Sequence, residues 1–229
     1  SAQSESSYGR SVRADGENIV AARSNFMAEH KLITGLDYTT QLIGNNDTRF
    51  SLVYVRKSGE PYSVTFDGYD DAFANDRSDG GYDAAYIPTG ASDPNVVFAS
   101  AAVADAVMAH VNGSGLAGYK GRIVPRNAFN SPWTSSLDLR ITQDINVMDG
   151  HKVILYLDIT NVLNLIDDDK GIMKEYSNRS RQIILDEDNP YDSQGRYNIV
   201  GVDPDDGLFV RNKDGQSSYQ WNLGFKYQF

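Results

Sequence analysis

The side chains of this chain that could do chemistry are mainly carboxylates, which are grouped in four short runs. The runs lie at 67–71, 167–169, 186–188 and 203–206. Calcium takes about 6–8 oxygen ligands, but the runs lack the spacing and the closing Glu of a calcium loop. Asp167, Asp168 and Asp169 are therefore weak calcium candidates, and a plain solvated loop is the alternative.

Other catalytic groups are too few or too scattered to form a site. The 229 residues contain no cysteine, and the three histidines lie far apart in the chain. Gly113-Ser114-Gly115 lacks the strand and helix that flank a nucleophile elbow. The sequence predicts that the protein is not an enzyme and that it has no cofactor beyond the calcium candidate. A net charge of −10 also argues against non-specific binding to nucleic acid.

The end of the chain, residues 219–229, alternates between apolar and polar side chains. The apolar ones are at the odd positions: Tyr219, Trp221, Leu223, Phe225, Tyr227 and Phe229. This period places the two sets on opposite faces of a β-strand, and about 9–11 tilted residues suffice to cross a bilayer. The pattern predicts a transmembrane barrel strand at 217–229, and an amphipathic strand of a soluble sandwich is the alternative.

Four earlier segments show a similar alternation, at about 19–43, 48–66, 135–147 and 152–165. Short turns at 44–47 and 148–150 join them in pairs, and the Asp-Gly of the second turn is a strong hairpin signal. Pro61 predicts a bulge or a local irregularity in the second segment because it lacks a ladder donor. The sequence has no run of about 18–20 apolar residues, so any membrane crossing must use strands.

Two long connections, about 67–132 and 166–216, separate the predicted strands. Short turns on one side and long external loops on the other are typical of transmembrane barrels. Within the first connection, Ala99–Val111 is rich in helix formers and precedes a Gly-rich stop. The predicted fold class is all-β: an antiparallel transmembrane β-barrel segment with long extracellular loops and one short loop helix.

The number of predicted strands bears on how much of a barrel the chain supplies. Five is odd and too few, since single-chain barrels have an even count of about eight or more. We therefore expect residues 1–229 to be the C-terminal part of a larger barrel. The sequence shows no signal peptide, so we expect either that a leader was removed or that the chain begins in mid-protein.

Aromatic side chains of the connections are candidates for stacking on a substrate. They are Tyr69, Tyr82, Tyr86, Trp133 and Tyr191. The alternative is that the same rings pack inside their own loops.

Two stretches, Tyr86-Ile-Pro-Thr-Gly-Ala-Ser-Asp-Pro-Asn-Val-Val-Phe98 and Gly115-Leu-Ala-Gly-Tyr-Lys-Gly-Arg-Ile-Val-Pro-Arg-Asn-Ala-Phe-Asn-Ser-Pro-Trp133, resemble external-loop motifs of the Oar-type branch of TonB-dependent receptors. Leu137-Asp-Leu-Arg-Ile-Thr-Gln-Asp-Ile145 also resembles that family. Gly150-His-Lys-Val-Ile-Leu-Tyr-Leu-Asp-Ile-Thr-Asn-Val-Leu-Asn-Leu165 resembles its penultimate strand, and 219–229 resembles its last one. The likeness covers most of the chain from about His30 onward, and residues 125–133 are its most specific part.

The resemblance implies a barrel of about 22 strands whose lumen is plugged by a globular domain. It implies partners as well: outer-membrane lipid, the rest of the barrel with its plug, and the TonB complex, which the family contacts through an N-terminal part absent from this chain. Phe225, Tyr227 and Phe229 resemble the signal read by the barrel-assembly machinery, although such rings could simply face lipid. A surface lipoprotein is a further partner to consider.

Three functions are compatible with the sequence. The first is a TonB-dependent receptor that takes up a bulky nutrient across the bacterial outer membrane, with its loops outside the cell. The second is an outer-membrane surface protein whose strands anchor large loops for adhesion. The third is a soluble secreted β-domain.

Overall fold

The computed structural model describes residues 12, 21–67, 83–211 and 216–229. The chain divides into two compact units. The sheet unit comprises Ala28–Gly59, Pro132–Glu175 and Val210–Phe229, and the insert unit comprises Ser1–Met27, Glu60–Ser131 and Tyr176–Phe209. The chain therefore passes between the units several times.

The helices and strands of the described residues are, in chain order, β1 Lys31–Ile43, β2 Asn46–Lys57, β3 Pro61–Asp67, β4 Tyr86–Ile87, β5 Val96–Phe98, α1 Ala101–Gly113, a 3₁₀ helix Gly115–Tyr119, β6 Arg122–Ile123, β7 Phe129–Asn130, β8 Thr134–Met148, β9 His151–Thr160, α2 Val162–Ile166, β10 Lys174–Tyr176, β11 Arg179–Leu185, β12 Tyr197–Val202, β13 Leu208–Val210 and β14 Gln220–Gln228. The prediction of a mainly β protein is confirmed. Along the described ranges, no helix is long and apolar enough to cross a membrane.

The sheet unit is built on a five-stranded sheet in the order β1-β2-β8-β9-β14. Each neighbouring pair of strands is antiparallel. Gly44 and Gly150 take positive φ angles of 56° and 79° in the two tight turns, which glycine adopts without a steric penalty. β1 and β14 are the two edges of this sheet, so the described strands form an open sheet rather than a closed barrel.

Two of the predicted strands differ from those observed. β1 begins at Lys31 and not near residue 19, because the described segment before it bonds elsewhere: the Arg23 guanidinium donates from Nε to the Asn127 carbonyl oxygen at 2.8 Å. The predicted strand 48–66 is divided in two, since β2 ends at Lys57 and β3 belongs to another sheet. The irregularity predicted at Pro61 is the break between β2 and β3, where the chain leaves the sheet unit, and it takes the place of a bulge within one strand.

The insert unit is a folded body with its own core, which corrects the expectation of two long loops. Its sheet has the order β5-β12-β11-β3-β7 and is mixed, because β11 runs parallel to β3 and β12 runs parallel to β5. The all-antiparallel class therefore does not hold for this unit. Its core side chains include Val64, Ile87, Val107, Val111, Leu116, Val124, Ile183, Leu185 and Ile199.

The helix predicted at Ala99–Val111 is present as α1, Ala101–Gly113. The Ser100 hydroxyl accepts a hydrogen bond from the Val103 N–H at 3.2 Å, which caps the helix start. Ala104, Val107 and Val111 are buried, and their spacing places them on one face of the helix. A second helix, α2, occupies the end of the predicted strand 152–165.

Candidate functional site: a two-faced sheet

One face of the sheet unit is apolar across all five strands. The strand register puts Leu36, Leu52, Leu139, Ile159 and Trp221 in one cross-strand row. The next row on the same face consists of Tyr38, Phe50, Ile141, Leu157 and Leu223. Opposite residues of paired strands share a face, so these rows form a continuous apolar surface.

This apolar face is open along both edge strands. Leu36 and Tyr38 in β1 are 62% and 60% exposed, and Leu223 and Phe225 in β14 are both 72% exposed. Soluble monomers rarely expose apolar patches larger than a few hundred Å² without a function for them. The face therefore requires an apolar environment outside the described part of the chain.

The opposite face carries the charged groups. Asp144 is buried and accepts from both Lys152 Nζ at 2.5 Å and Arg49 Nη2 at 3.0 Å. Arg140 donates two hydrogen bonds to Asp158, from Nε to Oδ1 at 2.5 Å and from Nη2 to Oδ2 at 2.7 Å. Bidentate pairs of this kind are the stronger class of ion pair. The sheet thus separates an apolar side from an ion-paired side.

A close contact on the polar face joins β9 and β14. Gly224 lies opposite Tyr156, and a Cβ atom on Gly224 would overlap the Tyr156 hydroxyl oxygen. The Tyr156 ring also lies under the Arg140 guanidinium, 5.8 Å from the ring centroid. Glycine at 224 therefore leaves the space that the tyrosine ring fills.

Gly224→Ala is expected to displace Tyr156 and to weaken the sheet by about 1–3 kcal/mol through overpacking. The measurement is the unfolding midpoint of the protein in urea, in detergent. Gly35→Ala is the matched control, because the nearest heavy atom to its added Cβ is the Leu52 carbonyl oxygen at 4.0 Å. Equal midpoints for the two variants would contradict the packing role of Gly224.

Both ends of the apolar face carry amphipathic rings. At one end the His30 ring stacks on Trp133, with centroids 6.1 Å apart and planes at 3°. At the other end His151 Nδ1 lies 2.5 Å from the Tyr227 hydroxyl oxygen. Tyrosine and tryptophan concentrate at membrane–water interfaces because one part of the side chain is apolar and another bonds water.

The proposed assembly-signal residues lie at this second end. Phe225 pairs with Leu155 and Tyr227 with Val153. Phe225, Tyr227 and Phe229 are 72%, 47% and 92% exposed. Their rings are therefore available to another molecule, whether lipid or protein.

Three of the five aromatic substrate candidates are among the described residues, and they are divided between the two units. Tyr69 and Tyr82 lie outside the described residues, and Trp133 belongs to the sheet unit. Tyr86 and Tyr191 both lie in the insert unit, where each packs against Tyr197, with centroid distances of 5.6 Å and 5.3 Å. Burial raises the pKa of Tyr197 to about 12. The sequence analysis did not identify Tyr197, whose position in a mixed sheet has no local signal.

The residues around Tyr86 form an internal hydrogen-bond network rather than a ligand site. Asp93 accepts hydrogen bonds from the Tyr86 hydroxyl at 3.0 Å, the Thr89 N–H at 2.7 Å, the Thr89 hydroxyl at 2.8 Å and the Asn95 N–H at 2.8 Å. Burial acts to raise the pKa of Asp93, but the donors outweigh it and hold the pKa below its ordinary value. The carboxylate therefore stays ionised and ties the segment 86–95 together.

The weak calcium candidates make local contacts. Asp167 pairs with Lys170 at 3.0 Å and accepts the Asp169 N–H at 3.0 Å. Bonding to Lys170 is the largest cause of the lowered pKa of Asp167. Within the ranges that the structure describes, no group of three or more His, Asp or Glu side chains is arranged to hold a metal ion.

Comparison with protein-family models, with curated proteins and with solved structures gives no match for this chain. The two faces of the sheet are therefore the main guide to function. Arg56, on the apolar face, was also missed by the sequence analysis, although its even number in β2 matches that of Phe50, Leu52 and Tyr54.

Proposed function

We propose that the sheet unit is part of the wall of an outer-membrane β-barrel, and that the chain is the C-terminal portion of a TonB-dependent receptor that takes up a bulky nutrient. The main support for this proposal is that one face of the sheet is apolar and exposed, while the opposite face carries ion pairs. A barrel wall requires this arrangement, because its outer surface contacts lipid and its inner surface contacts water.

The dimensions of the face support the membrane assignment. From Leu137 to Val147 the positions of β8 on this face, which are apolar except at Gln143, span about 34 Å of strand, taking a rise of about 3.4 Å per residue. A tilt of about 35–45° reduces this to about 24–28 Å across the bilayer, close to the roughly 25 Å apolar band of such barrels. The rings at the two ends of the face would then lie at the two interfaces.

The open edges support the assignment to a larger barrel. β1 and β14 each have one side unpaired within the described sheet, and an unpaired strand edge is costly in lipid because backbone groups lose water. Further strands pairing with both edges would remove that cost. The specific assignment to the TonB-dependent class rests on the motif resemblance at 86–98, 115–133 and 150–165.

Cysteine labelling tests the barrel wall directly, since the chain has no cysteine of its own. Single variants Leu223→Cys and Phe225→Cys probe the apolar face, and Asn222→Cys and Lys226→Cys are matched controls on the other face of β14. In intact membranes a water-soluble maleimide is expected to label the controls several-fold faster. Detergent solubilisation is expected to reduce the difference in labelling rate between the two sets of variants.

Two results would overturn the proposal. Equal labelling of both sets in water would indicate a sheet with two wet faces, as in a soluble secreted β-domain. Faster labelling of Leu223→Cys and Phe225→Cys than of the two controls would also overturn it, because lipid shields an outward-facing side chain from a water-soluble reagent.

A barrel-anchored surface protein is a second candidate, and the insert unit favours it. That unit has its own buried core and so could serve as a folded binding domain outside the cell. The two candidates differ in whether a plug accompanies the barrel. An antibody against residues 219–229 would report the native mass in a membrane extract, and peptide mapping of that band would show whether a plug is present.

A further inference from the structure

The apolar face carries a single charged side chain in its registered rows, and that side chain is Arg56. The rows from Leu32–Arg56–Ser135 at one end to Ile145–Val153–Tyr227 at the other contain no Asp, Glu or Lys on this face among the paired residues described. A lone charge is costly inside hydrocarbon. Arg56 lies in the first of these rows, at the margin of the face.

The Arg56 guanidinium is stacked and exposed. Its central carbon lies 5.4 Å from the Trp133 ring centroid, and His30 stacks on the same tryptophan. Stacking uses the flat side of the guanidinium and leaves its N–H donors, which lie in the plane, directed outward. Among the described residues, no carboxylate forms an ion pair with Arg56, whereas Arg49 and Arg140 on the other face each pair with aspartate.

The chemistry of this margin identifies a ligand class. A planar cation with outward donors matches the oxygens of a phosphate, which it can bind in a bidentate way. A tryptophan beside it is the side chain best suited to the level of lipid headgroups. The absence of acidic groups from the registered rows of this face leaves an anion there without electrostatic opposition.

We propose that Arg56, held by Trp133, binds the phosphate of an anionic membrane lipid at the interface. The inference depends on the proposed membrane location of the sheet. The lipid tails would lie along the apolar rows beneath Arg56, and the headgroup phosphate would accept hydrogen bonds from the guanidinium. The site would thereby fix the depth of the sheet in its leaflet.

Trp133 is a natural reporter, because the chain has only two tryptophans. In a Trp221→Phe background, the protein is reconstituted in bilayers and the fluorescence of Trp133 is quenched with brominated phosphatidylglycerol or with brominated phosphatidylcholine. The anionic lipid is expected to associate preferentially near Trp133. Arg56→Gln is expected to reduce that preference about fivefold, the effect of removing about 1 kcal/mol for one basic group near an anionic surface.

Lys57→Gln is the matched control, because it removes the same charge from the next residue, on the other face of β2. It is expected to leave the preference unchanged. Equal quenching by the two lipids in the unmodified Arg56 protein would overturn the inference, even if Arg56→Gln did not fold. Retention of the full preference in a folded Arg56→Gln variant would also overturn it, since the guanidinium would then not be what holds the lipid.

The reciprocal background, Trp133→Phe, separates this inference from the proposed function. Trp221 lies in a central apolar row and should be quenched by both brominated lipids. Quenching of Trp221 without a lipid preference at Trp133 would contradict the phosphate site but leave the proposed membrane location standing. If neither brominated lipid quenched either tryptophan, the sheet would not be in the membrane. That result would contradict the proposed function as well.

Discussion

If the sheet is a barrel wall as proposed, Leu223→Arg is expected to prevent stable assembly of the protein in the outer membrane. Leu223 lies opposite Leu157 in the middle apolar row and is 72% exposed. An arginine on the lipid face at the bilayer midplane costs about 2–4 kcal/mol, a large part of the stability of a typical domain. The measurement is the fraction of protein that migrates as a folded, heat-modifiable band after extraction from the outer membrane.

Asn222→Arg is the matched control for this substitution. It introduces the same side chain one residue earlier, on the polar face and opposite Asp158. The control is expected to fold at close to the unmodified level, because the guanidinium there faces water and a carboxylate. If the two arginine variants assembled equally well, the apolar face could not be in contact with lipid.

Asp93→Ala is expected to destabilise the insert unit by about 2–4 kcal/mol, because buried donors lose their acceptor. The donors are the Tyr86 hydroxyl, both donors of Thr89 and the Asn95 N–H. Amide hydrogen exchange of α1 and β12, followed by mass spectrometry, would measure the loss of protection within this unit.

The stabilisation by Asp93 should depend on pH in a defined direction. The pKa of Asp93 in the folded protein is below its ordinary value of 3.8. Its contribution is therefore complete above that ordinary value and is lost as the pH falls through the lower, folded-state pKa. The difference in protection between the unmodified protein and Asp93→Ala should narrow in acid, and a difference that widened there would contradict the assignment.

Asp186→Ala provides a control for Asp93→Ala. Asp186 accepts the N–H groups of Asp188 and Asn189 in an exposed turn, at 3.0 Å and 2.8 Å. Water can replace an exposed acceptor, so we expect a loss of about 1 kcal/mol or less. A loss equal to that of Asp93→Ala would show that burial of the acceptor is not what matters.

The sheet unit was largely predictable because its signals are local. One apolar face and one polar face give a period-two pattern, and β8, β9 and β14 match the predicted segments 135–147, 152–165 and 217–229 to within a few residues. The turns at Gly44 and Gly150 are marked by their residue types. Arg56 was overlooked although its parity was readable from the same alternation.

The insert unit was not predictable in the same way. β3 is buried on both sides, with six of its seven residues buried, so its side chains do not alternate between environments. Its neighbour β11 begins more than a hundred residues later, and the two pair in parallel. Pairings at such sequence distance leave no short-range signal. Tyr86 and Asp93 were visible as residues, but their hydrogen bonds depend on that tertiary arrangement.

The strand order of the insert unit limits which parts of its sequence can vary independently of each other. β11 and β12 come from one connection, and they lie between β5 and β3, which belong to the earlier part of the chain. Neither part of the chain can complete the sheet without the other, so replacing the strands of one part alone would mismatch them with their partners in the middle of the sheet. Variation in the insert unit should therefore occur in paired blocks, with Glu60–Ser131 and Tyr176–Phe209 changing together.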